Sequence, residues 1–124
     1  MSEGDWPVEL RLAKDRRTLA VAFETGARYE LSAELLRVMS PSAEVQGHTA
    51  AERKTVGGKR NVEIIRVEPV GNYAVRLVFD DMHDSGIFSW SLLRELGETA
   101  PARFATYLAD LAAKGLDRDK PGAK

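Results

Sequence analysis

The chain has 124 residues, of which 44% are hydrophobic and 30% charged, with a formal net charge of -1 and no cysteine. That length suits one domain with a real core but not two, and the near-neutral balance gives no electrostatic footing for nucleic acid. Without cysteine, the chain cannot supply disulfides, thiolate nucleophiles or sulfur ligands to zinc or iron–sulfur clusters.

Residues Met1 to Asp5 are polar and expected to be disordered, leaving one domain over 6–116. The N-terminus has no apolar signal region and no run reaches the length of a membrane-spanning helix, so a cytoplasmic protein without membrane contact is expected. Val8, Leu10 and Leu12 alternate with Glu9 and Arg11, the period-two pattern of a strand. Lys14 to Arg17 is a charged turn. Leu19, Val21 and Phe23 then mark the core face of a second strand. Glu24-Thr25-Gly26 is a turn whose glycine can take positive φ, and Ala27, Tyr29 and Leu31 form a third strand. Links this short imply an antiparallel meander. Ser32 caps a short helix from Ala33 to about Met39, which Pro41 ends by disfavouring helical backbone at Ser40. From Ser42 to Asn61 there is no pattern, and loops of that length are usually functional or mobile.

A fourth strand is expected over Val62 to Val67, followed by a turn at Glu68 to Asn72. Tyr73, Val75, Leu77 and Phe79 alternate on the core face of the next strand, and Val78 hints that its other face is covered too. The stretch DDMHDSG places three aspartates and His83 in seven residues, which burial would penalise, so it is read as a turn or rim. Ile87 and Phe88 form a short strand. A helix follows, capped by Ser89 or Ser91, with Leu92, Leu93 and Leu96 buried and Gly97 as its stop. Thr99 caps a last helix with Pro101 in its first turn. Phe104, Tyr107, Leu108 and Leu111 form its apolar stripe, Gly115 ends it, and residues 117–124 are expected to be a disordered tail. The fold class is α+β: an antiparallel sheet of about five or six strands with two or three short helices packed on it.

Three stretches invite chemistry. His83 with Asp81 and Asp84 makes either a zinc or iron site of imidazole and carboxylates or a solvated turn. His48, the other histidine, would have to approach to complete a facial triad. Gly57-Gly58-Lys59-Arg60 is either a phosphate cradle of backbone amides or a basic turn; the spacing is not that of a P-loop. Ser40 and Ser42 lack a nucleophile elbow and are better explained as helix ends. Trp90 is either core or recognition surface. With no paired catalytic groups, the chain is read as a non-catalytic interaction module needing no cofactor. Its surface is Ser40, Pro41, Ser42, Glu44, Gln46 and His48, with Arg60 and Trp90.

The segments LRVMSPSAEVQGH, GKRNVEIIRVEPVGNYAVRL and FDDMHDSGIFSWSLLRELG resemble the domain-of-unknown-function family 971, the gamma-butyrobetaine-hydroxylase-like N-terminal domains, over about Val8 to Gly97. In the two-domain hydroxylases, the resemblance implies a structural zinc held by three cysteines and one histidine. The histidine falls on His83, and the cysteine-bearing stretch falls near Ser40, Ser42 and Val45, where this chain has no sulfur. Met82 stands where that family commonly has glycine. Catalytic iron and 2-oxoglutarate belong to a separate C-terminal domain of those enzymes, outside this sequence. Related domains are joined to Mrp/ApbC-type P-loop proteins, so the resemblance implies a protein partner, an iron–sulfur carrier ATPase, and an accessory role. Oligomeric state is not addressed by the residues.

Overall fold

The computed structural model describes residues 6–41, 55–84 and 86–119; expectations for 1–5, 42–54 and 120–124 lie outside them. The described residues form β1 (Pro7–Leu12), β2 (Thr18–Phe23), β3 (Arg28–Ser32), α1 (Ala33–Val38), β4 (Ile64–Val70), β5 (Ala74–Phe79), β6 (Gly86–Ser89) and α2 (Trp90–Ala113). The α+β class holds, but the strands divide into two three-stranded antiparallel sheets, β1-β2-β3 and β4-β5-β6, instead of one. The division follows from locality: each sheet is a meander of adjacent hairpins, with α1 and the stretch up to Ile64 between them.

The two sheets meet at the charged turn. Arg16 takes a left-handed backbone at φ 64, which only a minority of non-glycine residues adopt. Its carbonyl accepts the Ile64 N–H at 2.8 Å, and the neighbouring Arg17 carbonyl accepts the first helical N–H, that of Ala33, at 2.8 Å. The Arg16 guanidinium also donates to the Ile65 carbonyl at 3.2 Å. One turn therefore fixes β2, α1 and β4 together.

Alternation places the core as expected on β2 and β5. Leu19, Val21 and Phe23 oppose Val75, Leu77 and Phe79 in one cluster with Leu31, Leu36, Ile64, Phe88, Trp90, Leu93 and Leu96. Ala74 and Val78 on the opposite face of β5 are buried as well. Val8 departs from the pattern and is 65% exposed, because the register shifts between Pro7 and Glu9 and releases it from the core face. Pro69, expected in a turn, lies within β4 opposite Val75; as an edge strand, β4 tolerates a residue without an N–H. Tyr73 sits in the following turn and is exposed.

The helices differ most from expectation. Ser32 caps α1 by accepting the Leu35 N–H at 3.0 Å, and Ser89 caps α2 by accepting that of Leu92 at 3.1 Å. Gly97 does not stop the second helix, which runs on unbroken through Pro101 for 24 residues. Gly97 is there for contact: a Cβ on it would stand 2.3 Å from Tyr29 Cγ and under 3 Å from two further ring atoms. Thr99 donates back to the Glu95 carbonyl at 2.7 Å instead of capping a new helix. Arg103 reaches back past Pro101 to Thr99 Oγ1 at 2.6 Å and to the Glu95 carboxylate, so side chains span the step where the proline breaks the backbone ladder.

Helix propensity favours Gly97→Ala by about 1 kcal/mol, whereas overpacking against Tyr29 costs about 1–3 kcal/mol. The variant should therefore lose stability in urea denaturation. A double-mutant cycle with Tyr29→Ala should show coupling of about 1 kcal/mol, the alanine at 97 being tolerated once the ring is gone.

Candidate functional site

Helix α1 is six residues long and buried on every side, so its two charged residues have no water-facing side to occupy. Glu34 and Arg37 are 5% and 4% exposed; with Ser40 at 0% and His83 at 6% they are the buried polar side chains among the described residues. Buried charge is tolerated only when paired and hydrogen-bonded. Glu34 accepts two bonds from Arg118, at 2.8 and 2.6 Å. Arg37 donates to Asp81 at 2.7 Å, and Lys59 donates to the same carboxylate oxygen. The other oxygen of Asp81 accepts the backbone N–H of His83 at 3.1 Å.

These contacts set the local electrostatics. Burial alone would raise the Asp81 carboxyl, but the hydrogen bonds from Lys59 and Arg37 outweigh it and hold the group below its ordinary range. Tyr107 is pushed up to about 12, chiefly by burial and then by the charge of Glu34. Its hydroxyl donates to the Val56 carbonyl at 2.7 Å.

The turn after β5 aims its residues in opposite directions. Phe79 donates to the His83 carbonyl at 2.9 Å and accepts from the Met82 N–H at 3.2 Å. Met82 takes φ 74, a left-handed conformation that glycine favours, and points outward at 87% exposure. His83 turns inward. Its Nε2 lies 2.9 Å from Ser40 Oγ in a buried hydrogen bond, and its ring lies 6.0 Å from that of Phe79. Gly86 closes over the pair; a Cβ there would fall 2.2 Å from the serine oxygen. The solvated reading of this turn is thus corrected at His83, which is enclosed.

The residues singled out from the sequence take different places. His83, Asp81 and Asp84 do not converge: Asp84 is exposed and Asp81 is committed to two cations. No group of three His, Cys, Asp or Glu able to hold a metal occurs among the described residues. The zinc implied by the hydroxylase resemblance does not fit these residues. Where a thiolate is wanted, Ser40 offers a hydroxyl already bonded to Nε2, and the chain has no sulfur elsewhere but methionine. Ser40 is not a nucleophile either, since nothing can reach an oxygen enclosed by Gly86. The phosphate cradle also dissolves: the N–H groups of Gly58 and Arg60 donate to the carbonyls of Asp117 and Arg118, at 2.8 and 3.0 Å.

Of the expected binding surface, Ser40 and Trp90 are interior. Trp90 is 8% exposed and donates its indole N–H to the Asn72 carbonyl at 2.9 Å. Pro41 is partly buried and Arg60 is exposed beside Asp119. Ser42, Glu44, Gln46 and His48 lie outside the described residues. Residues 117–119, expected as tail, pack back onto the Gly57–Arg60 stretch. A cleft of about 210 Å³ opens beside them, lined by Lys59, Asn61, Asp80, Asp81 and Arg118. Glu34, Arg37 and Arg118 were not singled out from the sequence, and Lys59 only as part of the glycine-rich basic turn. The available signal was a helix of six residues with apolar groups on all sides and two charges three apart.

Residues 10–94 match a family described as gamma-butyrobetaine hydroxylase-like, N-terminal. No curated protein matches the chain. Two proteins solved in solution by NMR share its architecture. One is 44% identical with a TM-score of 0.82, over 98% of this chain and 95% of that one. The other is 42% identical with a TM-score of 0.82, over 100% and 92%. A crystal structure from Acidithiobacillus ferrooxidans ATCC 23270, of a protein of unknown function in the domain-of-unknown-function family 971, is 37% identical with a TM-score of 0.65, over 77% and 98%.

Asp81→Asn strands Arg37 against a neutral amide and should cost about 2–3 kcal/mol, less than a fully buried pair because Asp81 is only partly enclosed. A carboxyl held low stabilises the fold above its unfolded pKa and loses that effect as pH falls through the folded value. The gap between wild type and Asp81→Asn in urea denaturation should therefore be constant at neutral pH and close only below about pH 4.

Proposed function

The chain belongs to the gamma-butyrobetaine hydroxylase-like N-terminal family, and from that premise we propose that it is a non-catalytic protein-interaction module of the cytoplasm, accessory to iron–sulfur carriers of the Mrp/ApbC type. The observation that supports this reading is the division of labour in the turn at Asp80 to Asp84. Its hydrogen-bonding groups at Asp81 and His83 are consumed inside the fold, while Met82 stands 87% exposed. Methionine is flexible and polarisable, well suited to packing against a partner whose surface it does not match in advance. The carrier as partner rests on the family resemblance of the motifs, not on the geometry.

A P-loop iron–sulfur carrier titrated calorimetrically with this protein should bind, and Met82→Asp should weaken that binding at least about tenfold, as loss of an anchor side chain does. Its melting temperature should stay within a degree or so, because an exposed side chain contributes little to stability. Equal affinity for the variant would remove the turn from the interface. The competing reading is a metal-binding domain centred on His83. Stoichiometric zinc or iron in protein purified without chelator, lost on His83→Ala, would replace the interaction reading with that one.

A further inference from the structure

We infer that the outer face of the β1-β2-β3 sheet is a self-association surface, on which a second copy of this chain docks face to face about a two-fold axis lying along β2. The inference does not rest on the interaction reading of the Met82 turn, which belongs to the other sheet.

Register fixes where the charges stand. Glu9, Ala22 and Arg28 lie side by side across the three strands, and two residues along, Arg11, Ala20 and Glu30 do the same. Each row carries one glutamate and one arginine at its ends, in opposite order, so like charges occupy the diagonals. The middle strand contributes only methyl groups: Ala20 and Ala22 floor a groove of about 300 Å³ whose rims are the four charged residues, all exposed. A polar outer face is ordinary for an antiparallel sheet, but here the charges are incompletely matched within the chain. Glu9 draws both arginines, Arg28 at 3.3 Å and Arg11 at 3.9 Å, while Glu30 has no ion pair among the described residues. Arg11 and Glu30 are thus left apart across Ala20, although the ends of the other row meet.

A second copy supplies what each row lacks. Half a turn about an axis along β2 lays the partner's β3 over β1 and its β1 over β3, and it keeps each row facing itself. Arg11 then meets the partner's Glu30, and Glu30 meets the partner's Arg11. Glu9 and Arg28 are matched in the same way, so opposite charges face at all four corners. The surface is complementary to itself, as an isologous contact must be, and the alanines under the axis leave room for long side chains from both rims. The strands of the two sheets run aligned, an ordinary geometry of sheet-on-sheet packing. Three strands of six, six and five residues offer an area at the small end of specific interfaces, below about 1,200 Å² in total. Exposed ion pairs are also screened by salt. The dimer is therefore weak, concentration-dependent and salt-sensitive.

The test is sedimentation equilibrium of the full chain from micromolar to millimolar concentration. Wild type should dimerise at low ionic strength, with affinity falling at least about tenfold between about 0.05 and 0.5 M sodium chloride. Glu30→Arg sets an arginine against the partner's Arg11, and Arg11→Glu sets a glutamate against the partner's Glu30. Each alone should weaken dimerisation at least about tenfold. An equimolar mixture of the two variants should dimerise to within about threefold of wild type, because opposite charges face again in the mixed pair. Should circular dichroism show either variant to be unfolded, Arg11→Gln and Glu30→Gln remove the attraction without reversing it, and each should weaken dimerisation about threefold. Wild type that stays monomeric at millimolar concentration would overturn the inference and leave the face to another occupant. A dimer indifferent to these substitutions would overturn it by assigning association to another surface. Folded reversal variants whose mixture does not dimerise would overturn it as well, since an axis across the strands would not pair Arg11 with the partner's Glu30. None of these outcomes bears on the carrier titration with Met82→Asp, so the two readings fail separately.

Discussion

Glu34 and Arg37 enter the interior because α1 is short and its remaining residues are needed by the core on every side. Once two charges are committed there, the rest of this side of the molecule must answer them. Asp81 comes to Arg37 from the β5–β6 turn, Lys59 comes to the same carboxylate from the stretch before β4, and Arg118 comes to Glu34 from beyond α2. Three segments far apart in sequence are thereby held in register around six residues. The same requirement determines what is left for chemistry. A carboxylate between two cations and an imidazole against a buried hydroxyl are groups engaged inside the fold.

Much of the fold was legible because it rests on local patterns. The alternation of Leu19, Val21 and Phe23, the caps at Ser32 and Ser89, and the glycine at 26 with φ 94 all express rules acting over a few residues. The errors came where a distant contact overrode a local rule. Gly97 has the form of a helix stop until Tyr29, 68 positions earlier in number, presses on it. Pro69 has the form of a turn until its strand proves to be an edge. The split into two sheets was illegible because strand order depends on the joint at Arg16 and Ile64, not on the strands themselves.

The candidate site was legible only as a list of segments. The sequence directed attention to the turn carrying His83, to Ser40 and to the glycine pair, and the structure does bring these near one another. It could not say that His83 points inward or that Ser40 meets it, because both follow from the left-handed residue at Met82 and from the missing side chain at Gly86. The charged partners were invisible for a simpler reason. Arginine and glutamate three apart on a helix usually face water, and only the depth of α1 makes these two exceptional.

The apolar interior is in two pieces. Val38, Tyr107 and Leu111 form a small cluster with Val56 and Leu116, joined to the main core that holds both sheets and the first turns of α2 through Met39 and Phe104, which pack on both. Cooperative units of a protein open separately when few contacts tie them. The distal turns of α2 are therefore a subdomain in miniature, able to lift away while the sheets stay closed. Backbone amides past Phe104 would exchange with solvent sooner than those before Gly97.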